Sequence, residues 1–140
     1  MSHWNEDFER CSEWIECALV VPGVPMLRLE DVRGMLTAGE AQLHTTPKGC
    51  IVTCIDEYPC GTRIMSMLLA GGELLELLVL ADLVEEWGRQ EGCTHVRLEG
   101  RKGWERALAS RGYRSEGIVL SKELGHGLRE ESLRRREAEG

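Results

Sequence analysis

The stretch Thr62–Gln90, TRIMSMLLAGGELLELLVLADLVEEWGRQ, changes its period once, at Gly71-Gly72. Before the glycines, Thr62 to Leu69 is an apolar run bounded by Pro59-Cys60-Gly61, which reads as a strand. After them, Leu74, Leu77, Leu78, Ala81 and Val84 recur at helical spacing from Glu73 to Gln90. Leu75 and Val79 extend the apolar surface around that helix, and Gly92 supplies a stop. The unit is strand, Gly-Gly, buried helix. A second strand, Thr94 to Glu99, follows, so the two strands should lie parallel with the helix as crossover.

The pattern extends in both directions. Upstream, Cys50 to Ile55 is β-rich, Thr45-Thr46-Pro47-Lys48-Gly49 is a turn, and Ala41 to His44 can be extended, giving an antiparallel meander. Further back, Phe8, Cys11, Ile15, Ala18 and Leu19 mark a helix from Asn5 to Val21, stopped by Pro22-Gly23-Val24-Pro25. A shorter helix, Leu29 to Thr37, carries Val32, Met35 and Leu36 on one side. Downstream, Lys102 to Ser110 is a short helix with Trp104, Ala107 and Leu108 inward, closed by Gly112-Tyr113. A last strand is expected around Gly117 to Leu124. The predicted order is α-α-β-β-β-α-β-α-β: an α/β (α+β) fold with a mixed central sheet and helices on both faces. Residues 1–124 form one domain, and residues 125–140 are a charged tail, helical or frayed, in which four arginines are offset by four glutamates.

Composition narrows the functions. A formal charge of −7, from 24 acidic and 17 basic residues, disfavours nonspecific contact with nucleic acid or an anionic membrane. The longest apolar stretch, Leu74 to Val84, is broken by Glu76 and Asp82 and is too short to span a bilayer. The first residues have neither a basic nor an apolar signal region, so a cytoplasmic location is expected. Six cysteines, at 11, 17, 50, 54, 60 and 93, include no Cys-x-x-Cys pair, and no His stands at finger spacing. They read as reduced thiols, and no metal is expected. Trp14 and Trp87 read as anchors of core or partner contacts.

The element order, with the run from Gly92 through Leu124 and its closing Arg111-Gly112-Tyr113 step, resembles the GNAT superfamily of acetyl-CoA-dependent N-acetyltransferases. The closer likeness is to small GNAT-like proteins of tailed phages, in which Glu99-Gly100-Arg101-Lys102-Gly103-Trp104 has near equivalents. The resemblance implies an acetyl-CoA site at Leu69, Ala70, Gly71 and Gly72, where backbone amides at a helix start would hold the pyrophosphate. The family's basic or amide residue is missing from this loop, and Glu73 and Glu76 stand in the first turn instead. Carboxylates there stabilise a helix by about 0.3–1 kcal/mol each. They would also repel a phosphate ~4 Å away by about 1 kcal/mol per unit charge pair in water and about 4 near a surface. The tyrosine that many members use as general acid, four residues before the Gly-aromatic step, is replaced by Ala109.

For a general base the sequence offers Asp56, Glu57 and His95. Ser66, His95 and Asp56 could in principle form a hydrolase triad, but no nucleophile elbow surrounds Ser66. Cys60, on a turn near Arg63, is a candidate reactive thiol. The resemblance leads to two expectations. One is a phage-encoded accessory or virion-associated protein with weak or lost acetyl transfer, binding a phage or host protein in the host cytoplasm or the particle. The other is an active acetyltransferase acting on an unknown amine.

Overall fold

A computed structural model describes residues 4–20, 27–99 and 102–125. Its elements are α1 (Trp4–Val20), α2 (Leu29–Thr37), β1 (Gln42–Thr46), β2 (Gly49–Glu57), β3 (Arg63–Gly72), α3 (Leu74–Gln90), β4 (His95–Leu98) and α4 (Lys102–Ala109). The proline-rich break after α1 and the tail beyond Gly125 lie outside the described residues. One sheet runs in the order β1-β2-β3-β4, antiparallel across the first three strands and parallel between β3 and β4. The mixed sheet and the β3-α3-β4 crossover are therefore as the period change at Gly71-Gly72 predicts.

Two apolar clusters sandwich this sheet. On one side Phe8, Cys11 and Ile15 of α1 and Val32 and Leu36 of α2 pack on Cys50 and Val52 of β2. On the other, Leu77, Leu80, Ala81 and Val84 of α3 pack on Ile51, Met65 and Met67, with Trp104 of α4 at the margin. Alternation along β2 sends Ile51 and Val52 to opposite helical layers, which is why an unbroken apolar run is a strand here. Arg33 of α2 lies 4.6 Å over the Phe8 ring and pairs with Glu9, tying the two first helices together. Asp31 accepts the Arg28 N–H at 2.8 Å and caps α2.

Both later helices stop through the same pair of bonds. Cys93 N–H reaches Gly88 O and Gly92 N–H reaches Arg89 O at the end of α3. At the end of α4, Tyr113 N–H reaches Leu108 O and Gly112 N–H reaches Ala109 O. The cap needs a left-handed residue, and Gly112 supplies it at φ 88°.

The fifth strand expected at Gly117–Leu124 is not formed. Residues 114–125 have no regular structure, and Ile118, Val119, Leu120 and Leu124 are exposed. An apolar β-prone run becomes a strand only when a neighbour accepts its backbone bonds, and none of the described residues does so. The observed order thus ends at α4, with β4 as a sheet edge.

Candidate functional site

The sheet opens at one place. β3 pairs with β4 only from Ile64↔His95 to Met67↔Leu98, while it stays paired with β2 as far as Gly72↔Gly49. The separation begins at an irregularity: Thr53 faces Met67 and Val52 faces Leu69, so Leu68 is an extra residue on β3. A bulge bends its strand and increases the local twist, which carries β3 away from β4. Along Leu68–Gly72 the β4-side edge of β3 has no strand partner among the described residues, leaving backbone donors and acceptors open.

The residues predicted to hold a cofactor, Leu69, Ala70, Gly71 and Gly72, lie along this open edge. They belong to the strand, not to a loop: β3 runs three residues past the Leu69 expected from the sequence, and Glu73 alone connects it to α3. Packing accounts for both glycines. A Cβ on Gly71 would sit 2.6 Å from the Trp14 Cβ of α1. A Cβ on Gly72, at φ 120°, would sit 2.2 Å from the Lys48 carbonyl oxygen. Close packing against α1 and the 47–48 turn therefore requires a glycine at each position.

The start of α3 is electrostatically mixed. Glu73 provides no side-chain cap, and the Leu77 N–H is the first in the helix to find a backbone acceptor, Glu73 O. The amides of Leu74, Leu75 and Glu76 have no backbone acceptor among the described residues. Glu76 instead turns its carboxylate to the Lys48 N–H at 3.1 Å, and the Lys48 ammonium stands 3.8 Å from Glu73. Lys48 was not predicted for this site. The signal for it was the Lys48-Gly49 turn, which register sets against Gly72. Strand edge and free amides suit an extended amide-bearing chain such as pantetheine. The two carboxylates do not suit a pyrophosphate.

The other candidates are not brought together. Asp56, Ile64 and His95 are successive partners across β2, β3 and β4, so Asp56 and His95 are separated by two strand spacings, roughly 10 Å. His95 Nδ1 meets Thr94 Oγ1 at 2.8 Å, and Glu57 pairs with Arg63 at 3.5 Å. Ser66 faces Cys54 and Arg97, so Ser66, His95 and Asp56 do not form a triad. Cys60 is exposed, and hydrogen bonding to Thr62, whose Oγ1 is 3.2 Å from Sγ, holds its thiol below the ordinary value; Arg63 is not a cause.

Ala109 is exposed at the end of α4. The Tyr113 hydroxyl is buried near Glu85 but outside hydrogen-bonding geometry, and burial and then the Glu85 charge push the phenol up. Glu85 is raised in turn, by burial and then by Asp82. Such a phenol keeps its proton and is poorly placed to protonate a leaving thiolate.

One polar network went unforeseen. Gln42, His44 and Thr53 share the α3 side of the sheet; Thr53 Oγ1 donates to Gln42 Oε1 at 3.0 Å and lies 3.0 Å from His44 Nε2. The His44 ring meets Trp87 edge-on at 4.9 Å, and burial lowers its pKa to about 4. No metal-holding cluster of three His, Cys, Asp or Glu occurs among the described residues, and no described helix is long and apolar enough to cross a membrane.

No family model matches the chain, and no curated protein matches it. Solved structures do. One described as a probable acetyltransferase superposes with a TM-score of 0.67 at 12% identity, over 86% of this chain and 92% of its own. A Trypanosoma brucei acetyltransferase gives 0.63 at 14%, over 85% and 94%. A Bacillus halodurans transcriptional regulator gives 0.60 at 14%, over 88% and 95%. At these identities the likeness is one of fold: a four-stranded mixed sheet flanked by helices, as in GNAT-type acetyltransferases.

Proposed function

We propose that the chain is a GNAT-fold protein in which acetyl transfer is weak or lost, and that it works by binding a protein partner. A phage-encoded accessory or virion-associated role, in the host cytoplasm or the particle, belongs to the same proposal and rests on the likeness of Glu99–Trp104 to small phage proteins. The observation that carries the reading is the start of α3. There the chain's own Glu76 carboxylate takes the Lys48 N–H, and a second carboxylate, Glu73, stands at the N-cap position without bonding the helix amides. Two carboxylates thus stand beside the helix start to which acetyl-CoA would bring its pyrophosphate. Ala109 and the proton-retaining Tyr113 support the same conclusion from the chemical side.

A second reading, an active N-acetyltransferase on an amine, is favoured by one observation. The β3 edge from Leu68 to Gly72 is open beside free α3 amides. Calorimetric titration with acetyl-CoA and with acetyl-pantetheine separates the two. The first reading expects no heat from millimolar acetyl-CoA, or equal weak binding of both compounds. Micromolar binding of acetyl-CoA with a clear preference over acetyl-pantetheine would establish a working phosphate grip and overturn it.

A further inference from the structure

Helix α1 meets the sheet main chain against main chain at one place. A Cβ on Gly71 would lie 3.0 Å from the Trp14 carbonyl oxygen as well as 2.6 Å from its Cβ, so no side chain separates α1 from β3 there. Cys50 is the partner of Gly71 across β2 and β3, and such partners have Cα atoms about 4.5–5.5 Å apart. Cys11 stands one turn before Trp14 and Ile15, on the buried face of α1. Helix and strand thus bring Cys11 over Cys50, and both are buried in the same apolar cluster. Their thiols meet: the Cys50 S–H donates to Cys11 Sγ. A disulfide needs Cα atoms about 4.4–6.8 Å apart, which a large side chain between helix and sheet would prevent. Here two cysteines and a glycine remove that obstacle.

We propose that Cys11 and Cys50 are a latent disulfide pair that, once oxidised, latches α1 to the sheet beside the open end of β3. The bond joins elements separated in the chain by α2 and β1, so it restricts the opened chain far more than the folded one. The folded protein protects the thiols. Burial pushes Cys50 up to about 12 and raises Cys11 as well, so neither supplies the thiolate that attacks a disulfide. Oxidation therefore starts when α1 lifts from the sheet. The oxidant is a small-molecule disulfide such as oxidised glutathione. The Cys11 thiolate attacks one of its sulfurs and expels one glutathione thiolate, leaving a mixed disulfide. The Cys50 thiolate then attacks the Cys11 sulfur, forms the protein disulfide and expels the second glutathione thiolate. Two protein thiols lose two electrons and two protons, and one glutathione disulfide becomes two thiols. Return of α1 buries the new bond.

Non-reducing peptide mapping by mass spectrometry, on the full chain held in a mixture of oxidised and reduced glutathione, tests the pair. The expected product is a Cys11–Cys50 cross-link, formed faster as sub-denaturing urea frees α1. The cross-linked chain is expected to unfold at higher urea than the reduced one, and dithiothreitol should return the midpoint. Gly71→Ala, which holds α1 off the sheet, is expected to lower the yield, and Cys11→Ser to abolish both cross-link and midpoint shift. Mapping of the wild type does not depend on either variant folding. Four results overturn the proposal: Cys11 and Cys50 recovered only as thiols or glutathione mixed disulfides; a dominant bond to Cys17, Cys54, Cys60 or Cys93; a cross-linked chain no more stable than the reduced one; or a yield that Gly71→Ala leaves unchanged.

Discussion

His44 should make this protein lose stability in mild acid, by an amount the structure sets. Its imidazole donates Nε2–H to Thr53 Oγ1, because Thr53 spends its own proton on Gln42, and its ring is held against Trp87. Burial lowers the folded-state pKa from 6.5 to about 4. The unfolded chain therefore takes up a proton below pH 6.5 that the folded chain refuses. The stabilisation is complete above that pH and is lost as pH falls through 4. Two and a half units correspond to about 3 kcal/mol once fully developed, with ~2 kcal/mol already lost at pH 5. That is a large share of a typical stability of roughly 5–15 kcal/mol. Urea unfolding at several pH values between 7.5 and 4.5 measures the loss. Carboxylates contribute in the same range, so the informative quantity is the difference from His44→Gln, which removes the titrating ring. The wild type should fall more steeply than the variant, by close to one proton between pH 6 and 5. Parallel curves, or a His44 ring signal in NMR titrating near 6.5 in the folded protein, would refute the reasoning.

Two further outcomes follow from local geometry. Gly72→Ala should cost about 2–3 kcal/mol, because the new Cβ meets the Lys48 carbonyl and the residue sits at a φ that side chains avoid; Gly71→Ala should cost a similar amount by pushing α1 outward at Trp14, and the urea midpoints of both variants check this. Alkylation followed by mass spectrometry should find Cys60 modified first in the folded chain. Cys11 and Cys50 should react only on unfolding, since both are buried and the Cys50 thiol is pushed up to about 12.

Local pattern and chemistry specified most of the frame. The helix from Leu29 to Thr37 lies where periodicity puts it, because Val32 and Leu36 fall on one face and Asp31 caps its start. Strand ends were harder to read. Gly71 and Gly72 look like a turn in sequence, yet they extend β3, since Trp14 and Lys48 need the volume that their missing side chains leave; neither neighbour is near in sequence. Gly117–Leu124 failed in the opposite sense. Its composition is that of a strand, but pairing depends on a partner, and within one chain β4 presents an edge that this segment does not join. For the site, the strand–Gly-Gly–helix position was legible. Lys48 and the bulge at Leu68 were not, because both depend on register between strands. The His44 network escaped for the same reason: Gln42 and Thr53 become partners only once β1 is aligned on β2.

The charge balance at the start of α3 bears directly on which ligand the opening could take. A helix N-terminus alone presents roughly half a positive unit charge. Lys48 adds one positive charge and Glu73 and Glu76 add two negative ones, so the site carries a net charge of roughly half a unit negative. Compared with a bare helix end, the sign has changed. Exposed pairs such as Lys48 with Glu73 hold each other weakly, so the ammonium is free to turn to an arriving phosphate, but its one charge still leaves two carboxylates to face. Moving Glu76 off the Lys48 amide would not relieve this, since the carboxylate stays within reach of the helix start. The field there therefore disfavours an anionic group along the Leu68–Gly72 backbone relative to a neutral or cationic one. A protein segment adding to the open β3 edge meets that condition through hydrogen bonds alone, whereas a nucleotide-bearing cofactor must overcome the field.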